Sequence, residues 1–158
     1  MKIIPLLVLF AAIAPCFSKT LTVNASLSAA SGINYPTLQS AVAALFSGTR
    51  LIDPTNTITL LPNTAGTTQT ITTSLTSGTG SIAIQFQSPP SIVDSLSACS
   101  QLPILSLIGT SFLYSNSLTS LSISGLYIKQ KYTSGRSLEL NNIPTVTLSN
   151  FCLDLTEA

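Results

Sequence analysis

The chain carries few charged residues and no histidine. Charged residues make up 7% of its 158 residues. Beyond residue 18 there are as many basic as acidic side chains, so that part has no net charge; they are Lys19, Arg50, Lys129, Lys131, Arg136, Asp53, Asp94, Glu139, Asp154 and Glu157. A nucleic-acid-binding protein needs a basic face. This composition does not supply one, so we expect no nucleic-acid partner.

The chain also lacks a visible pair of carboxylates. Glycoside hydrolysis needs two carboxyl groups about 5 to 9.5 Å apart, and the two that lie closest to the chain end are Asp154 and Glu157. Chain ends are commonly poorly ordered, which favours a solvated tail over an active site. We therefore predict no catalytic residue, no cofactor and no metal site.

One long apolar run stands at the start of the chain. Lys2 is followed by apolar residues up to position 14, interrupted only by Pro5, and the small residues Cys16 and Ser18 come next. A basic N-terminal residue, a short apolar core and small residues at a cleavage site are typical of a secretory signal peptide. We assign residues 1–18 to this signal; a buried helix and a lipoprotein anchor at Cys16 are the alternatives.

The remaining residues 19–158 are expected to form one domain outside the cell or on its surface. A membrane-spanning helix needs about 20 apolar residues, and no later stretch of the sequence supplies them. Cys99 and Cys152 remain after the signal is removed. An oxidising compartment permits a disulfide between them, with free thiols or a bridge to another chain as alternatives. Asn24 begins the one N-glycosylation sequon, Asn-Ala-Ser.

The clearest helix signal covers residues 34–46. Leu38, Val42 and Leu45 recur at helical spacing, Thr37 is a suitable N-cap, and Gly48 follows the end. Elsewhere the sequence alternates apolar and polar residues in short pieces, which is typical of half-buried strands.

Two segments of the second half repeat at an offset of 25 residues. Leu118, Leu121, Ile123, Leu126 and Ile128 align with Ile143, Val146, Leu148, Phe151 and Leu153. At the same offset Gly125 aligns with Asn150, and both residue types tolerate the left-handed backbone conformation of a sharp turn. The repeat also places Lys129 beside Asp154, and Cys152 over Tyr127 on the outer surface.

Strand-type alternation with a period in the twenties predicts a parallel β-solenoid. The apolar residues of the repeat would fill its interior, and Leu138 and Leu140 would complete the wall of one coil. Residues 82–86 and 104–108 are predicted strands of preceding coils, at irregular spacing. An antiparallel β-sandwich with two similar hairpins is the alternative.

The segment Tyr35-Pro36-Thr37-Leu38-Gln39-Ser40-Ala41-Val42 resembles the opening element of pectin lyase-like, right-handed parallel β-helix proteins. The later piece Thr57-Ile58-Thr59-Leu60-Leu61-Pro62 is similar to the extended segment that follows it in that family. The resemblance implies an all-β right-handed parallel β-helix with a short N-terminal capping helix. It carries over no catalytic residue, because the acidic, arginine and histidine sites of pectate lyases, polygalacturonases and pectin methylesterases have no counterpart here.

The sequence therefore predicts a secreted or cell-surface β-helix module with a structural or recognition role, whose partners are glycans or another extracellular surface. The alternative is an N-terminal fragment of a polysaccharide-degrading enzyme of the pectin lyase-like type, which would make residues 19–158 an incomplete domain. A weaker alternative is an adhesive or ice-binding surface protein, suggested by the threonine-rich residues 67–73. Ice binding needs such rows over several coils, and the sequence displays one run.

Overall fold

A computed structural model of the protein describes residues 18–46, 55–71, 80–89, 96–107, 118–132 and 143–157. In chain order its elements are β1 (Lys19–Val23), β2 (Asn34–Tyr35), α1 (Leu38–Phe46), β3 (Thr55–Leu60), β4 (Thr68–Ile71), β5 (Gly80–Phe86), α2 (Leu96–Cys99), β6 (Ile104–Leu107), β7 (Leu118–Ser124), β8 (Tyr127–Tyr132), β9 (Thr145–Ser149) and β10 (Cys152–Glu157). A 3-10 turn, Pro62–Thr64, lies between β3 and β4.

The strands form two sheets, and the chain passes from one to the other. The six-stranded sheet has the order β2-β1-β3-β5-β7-β9, and the four-stranded sheet has the order β10-β8-β6-β4. Each pair of neighbouring strands among the described residues is parallel. Parallel neighbours need a crossover connection, which from β3 onward runs through the other sheet. The all-β prediction is confirmed, and the antiparallel sandwich is wrong.

The predicted 25-residue offset sets the register of the last strands. Leu121 lies opposite Val146 where β7 pairs with β9, and Ile128 lies opposite Leu153 where β8 pairs with β10. The predicted strand at residues 82–86 is found as part of β5, and residues 104–107 of the other predicted strand form β6; residue 108 lies outside the described residues. Their offsets from the neighbouring strands differ from 25, because the connections between strands vary in length.

Apolar side chains of neighbouring strands align in rows inside the structure. One row of the six-stranded sheet runs through Leu21, Ile58, Ile84 and Ile123, each of them at most 7% exposed. The intervening residues of each strand point outward, since successive side chains alternate between the faces of a sheet. Burying one such side chain contributes about 1.5 to 3 kcal/mol, so these rows are the main source of stability.

Helix α1 lies against the first strand of the four-stranded sheet. Leu38, Val42 and Leu45 are buried as the helical spacing predicted, and α1 packs on β4 and on β1, β2 and β3. The backbone N–H of Leu38 donates to the buried Gln69 Oε1 of β4 at 2.9 Å. This bond satisfies one of the N–H groups that a helix start leaves without an intrahelical acceptor.

The helix begins later than residue 34. Thr37 is the N-cap: its Oγ1 accepts from the Ser40 backbone N–H at 3.2 Å, and the Thr37 N–H donates to Ser40 Oγ at 3.3 Å. Residues 34 and 35 instead form β2, because Pro36 disfavours the helical conformation in the residue before it.

Gly125 and Asn150 occupy equivalent corners between the two sheets. Their φ angles are 71° and 48°, both in the left-handed region. Gly125 follows β7 and Asn150 follows β9, each just before the chain enters the four-stranded sheet. A Cβ at Gly125 would stand 2.8 Å from the Phe86 Cβ and 3.2 Å from the Pro89 Cβ. Two constraints therefore act at Gly125, the backbone angle and the close approach of Phe86.

The apolar residues of β9 and β10 are not buried as predicted. Val146 is 38% exposed, Leu148 36% and Leu153 54%, whereas Leu121, Ile123 and Ile128 on the neighbouring strands are buried. The reason is their position: β9 and β10 are the edge strands of the two sheets in the described part of the chain. Leu138 and Leu140 lie outside the described residues.

We expect Gly125→Ala to destabilise the protein more than Asn150→Ala. Each alanine costs about 1 to 2 kcal/mol in the left-handed conformation. Gly125→Ala adds a steric cost against Phe86 of the order of 1 to 3 kcal/mol. Urea unfolding of both variants measures the difference. Equal losses of unfolding free energy would contradict the close approach at Gly125.

Candidate functional site

The outer face of the four-stranded sheet holds a cluster of polar side chains at its last two strands. Asp154 lies opposite Lys129, as the repeat predicted, and Cys152 opposite Tyr127. The Tyr127 hydroxyl donates to Asp154 Oδ2 at 3.1 Å. Lys129 Nζ lies 4.7 Å from the centre of the Tyr127 ring, within the range of a cation–π contact. Tyr127 thus connects the two charged residues.

The environment of Tyr127 raises the pKa of its phenol. Partial burial contributes most, followed by the hydrogen bond to Asp154 and the negative charge of that carboxylate. All three favour the neutral phenol, which can donate a hydrogen bond, over the phenolate. The contact therefore ties β8 to β10 through side chains as well as backbone. The 25-residue repeat predicts that Lys129 and Asp154 are neighbours. It does not predict the contact of the Tyr127 phenol with both residues, although Tyr127 occupies the same face two residues before Lys129.

Cys99 and Cys152 are joined in a disulfide, with their Cα atoms 5.8 Å apart. Cys99 ends α2, in the connection between β5 and β6, whereas Cys152 begins β10. Strand β8 lies between β6 and β10. The bond therefore attaches the edge strand β10 to the connection that precedes β6, two strands away in the sheet.

The outer face of the six-stranded sheet is covered by serine and threonine. We call this surface the hydroxyl face. Its side chains align in three rows across β1, β3, β5, β7 and β9. The rows are Thr20, Thr57, Ala83, Ser122 and Thr147; Thr22, Thr59, Gln85, Ser124 and Ser149; and Thr55, Ser81, Ser120 and Thr145. All positions except Ala83 and Gln85 carry a hydroxyl, and none carries a charge.

Some polar side chains of this face form hydrogen bonds with side chains of the neighbouring strand. Ser120 Oγ donates to Ser81 Oγ at 2.7 Å, and Gln85 Nε2 donates to Thr59 Oγ1 at 3.4 Å. These contacts run along the rows. They hold neighbouring side chains at the spacing of the strands. The sequence analysis missed this face, since it depends on pairings at irregular offsets.

Asn24 lies in a turn directly after β1. Its Oδ1 accepts from the Ser26 backbone N–H at 3.0 Å and from Asn63 Nδ2 at 2.6 Å. Asn63 Nδ2 also reaches Ser26 Oγ, at 2.8 Å. The side-chain oxygen of the predicted sequon is thus bound within the turn, while its Nδ2, the atom that would carry a glycan, makes no hydrogen bond to a described residue.

Asn56 is a buried polar residue that the sequence analysis did not single out. It occupies an inner row of β3, between Lys19 and Ile82, and is fully buried. Neither its Nδ2 nor its Oδ1 has a hydrogen-bond partner among the described residues. An unpaired buried amide lowers the free energy of unfolding by about 1 to 3 kcal/mol. Asn56 therefore destabilises the fold at its position in the inner row.

Two of the clefts on the surface of the described residues are lined without a carboxylate. The first, about 380 Å³, lies where β3 and β5 end and is lined by Pro62, Phe86, Ser100 and Gln101 among others. The second, about 440 Å³, lies beside β1 and includes Lys19, Ile33 and Tyr35. Both linings mix apolar side chains with a few polar groups.

The described residues contain no group of three or more histidine, cysteine, aspartate or glutamate side chains placed to hold a metal ion. They also contain no helix long and apolar enough to cross a bilayer. Residues 1–17 of the predicted signal lie outside the described residues, and so do Thr72 and Thr73 of the threonine-rich run. Glu157 ends β10, and its side chain is not described.

Comparison with known proteins finds no matching family model, no matching curated protein and no matching solved structure.

We expect the double variant Cys99→Ser, Cys152→Ser to lose about 4 kcal/mol of unfolding free energy. The bond closes a loop with a sequence separation of 53, and restricting a loop of that length in the unfolded chain has this effect. Urea unfolding without reductant measures it. Reductant should reproduce the loss in the natural protein and leave the double variant unchanged. Two free thiols per denatured mature chain, before any reductant is added, would contradict the bond.

The Tyr127 phenol should titrate above the usual tyrosine pKa of about 10, and Asp154→Asn should lower that pKa by removing the negative charge. Because the pKa is higher in the folded state, the stabilising effect is fully present below about pH 10 and is lost as pH rises through the folded pKa. The difference in phenolate absorbance between the natural protein and Tyr127→Phe isolates this group. Identical titrations with and without the Asp154 carboxylate would refute the contact.

Proposed function

We propose that the chain is a secreted or cell-surface module with the right-handed parallel β-helix fold of pectin lyase-like proteins and with a structural or recognition role. The observation that carries the proposal is the path of the chain. From β3 to β10 consecutive strands alternate between two parallel sheets, and buried apolar residues of neighbouring strands lie opposite one another, as in Ile58, Ile84 and Ile123. One passage through both sheets would be one coil, and α1 would cap the first coil.

The character of the outer surfaces supports recognition over catalysis. The hydroxyl face offers many hydrogen-bonding groups and no charge. On the four-stranded sheet, Asp154 binds the Tyr127 hydroxyl and is not paired with a second described carboxylate at that site. A surface of this kind suits a partner that is itself uncharged and rich in hydrogen-bonding groups, such as a glycan or another extracellular surface.

Three features support export. The first is the predicted signal at residues 1–18. The second is the disulfide between Cys99 and Cys152, a bond that persists in oxidising compartments. The third is the sequon at Asn24, which lies in a surface turn after β1 and would place a glycan beside that turn.

The test is a mass analysis of the protein recovered from the medium and the surface of its own cells. We expect a mature chain that begins at Lys19, contains one disulfide and carries a glycan at Asn24 where the host glycosylates. The recovered protein is then incubated with soluble and insoluble polysaccharides. Retention without release of new sugar ends is the expected result. Recovery only from inside the cell, with residues 1–18 attached, would overturn the proposal.

One observation favours a second candidate, an N-terminal part of a polysaccharide-degrading enzyme. Val146, Leu148 and Leu153 occupy inner rows yet are exposed, and a further coil packed on β9 and β10 would bury them. That coil and later ones would have to bring the catalytic acids, bases and arginines. Release of unsaturated or reducing sugar ends by the native protein would establish this candidate over the first.

A further inference from the structure

The hydroxyl face repeats in two directions. Neighbouring strands of a sheet are about 4.8 Å apart, and alternate residues of one strand are about 6.6 Å apart. Two rows follow the first direction: Thr20, Thr57, Ala83, Ser122 and Thr147, and Thr22, Thr59, Gln85, Ser124 and Ser149. Ala83 and Gln85, both on β5, interrupt the hydroxyls of these rows. The face is therefore a two-dimensional array of hydroxyl groups whose spacing the backbone determines.

A hydroxyl is the side-chain group closest to water in its hydrogen bonding, with one donor and two acceptor positions. Threonine holds its hydroxyl more firmly than serine, because its branched Cβ restricts χ1. Threonines stand at both ends of the first row, at Thr20 and Thr147, and all three outward positions of β3 are threonine: Thr55, Thr57 and Thr59. The array thus presents water-like groups at fixed, repeated positions.

The electrostatic character of the face narrows the class of partner. The charged residues of the described part of the chain all lie outside the three rows; they are Lys19, Lys129, Lys131, Asp154 and Glu157. No aromatic side chain belongs to the rows either. An uncharged array without rings offers little to an ionic ligand or to a ring that would stack on it. It complements a neutral, regularly repeating lattice of hydrogen-bonding groups.

The threonine-rich residues 67–73 do not form such an array. Thr70 of β4 aligns with Ser106 of β6, and that row continues to Lys129 and Asp154. The row that begins in the threonine run of the four-stranded sheet therefore reaches two charged residues within a few strands. Among the described strands, the extended rows of hydroxyls are found on the other sheet.

We propose that the hydroxyl face binds the surface of ice, with its rows positioning water molecules that join the crystal lattice. The inference rests on the proposed role of the chain as an extracellular recognition module and names the surface and its partner. A partner of this face must be uncharged and must repeat regularly. Ice has both properties, because its water molecules are neutral and form a regular lattice. A single strand repeats its hydroxyls only along its own length. Ice binding therefore depends on the stacking of β1, β3, β5, β7 and β9, which repeats the hydroxyls across the strands as well.

The test uses the full mature protein and measures thermal hysteresis together with its enrichment in a slowly growing ice crystal. We expect both effects from the natural protein. Thr57→Lys places a charge in the middle of the array and should abolish them. Thr70→Lys is the matched control: it changes a half-buried threonine on the outer face of the other sheet and should leave them intact. Ala83→Thr adds the missing hydroxyl to its row and should increase the hysteresis.

Circular dichroism and thermal unfolding establish that each variant is folded before its result is read. The absence of hysteresis and of ice enrichment in the natural protein would overturn the ice assignment. An effect that survives Thr57→Lys and disappears in Thr70→Lys would also overturn it, since a different face would then be responsible. Retention on an insoluble neutral polysaccharide without ice binding would overturn the assignment to ice and leave the recognition role standing. Recovery only from inside the cell would overturn that role itself.

Discussion

The structure depends on one constraint: parallel strands are stacked in register, so that inward-facing residues lie next to inward-facing residues and outward-facing residues next to outward-facing ones. The inner row through Leu21, Ile58, Ile84 and Ile123 shows the consequence for the core. The rows of the hydroxyl face show it for the surface. A slip of one residue in any pairing would exchange the two faces of that strand, exposing its apolar residues and burying its hydroxyls.

The same constraint explains which parts of the fold could be predicted from sequence. Between β7 and β9, and between β8 and β10, the connections preserve one offset, so aligned residues stand 25 apart and the corner residues Gly125 and Asn150 align as well. Helix α1 was predictable because its apolar spacing and its N-cap are local signals. The pairings of the earlier strands could not be predicted from the sequence, because the connections between those strands differ in length. The connection between β5 and β6, for example, contains α2 and Pro89. Such insertions change the offset between paired residues without changing the order of the strands.

Some features of the candidate sites could likewise be predicted from the sequence, and others could not. The neighbours Lys129 and Asp154 follow from the 25-residue offset, whereas the hydroxyl face depends on pairings at other offsets and could not be recognised as rows. The burial of Asn56 and the exposure of Val146 depend on which strands lie beyond each row, and local sequence carries no signal for that. The disulfide joins residues whose approach depends on the path of the chain across β8.

The most direct test of the central claim is a map of interstrand contacts from nuclear magnetic resonance on isotope-labelled mature protein. Parallel stacking in register predicts methyl contacts between Leu121 and Val146, between Ile128 and Leu153, and between Ile84 and Ile123. Observing all three, with the backbone contact pattern of parallel strands, would establish the stack. Strands that run in opposite directions, or Leu121 paired with a residue of β8 in a hairpin, would contradict it.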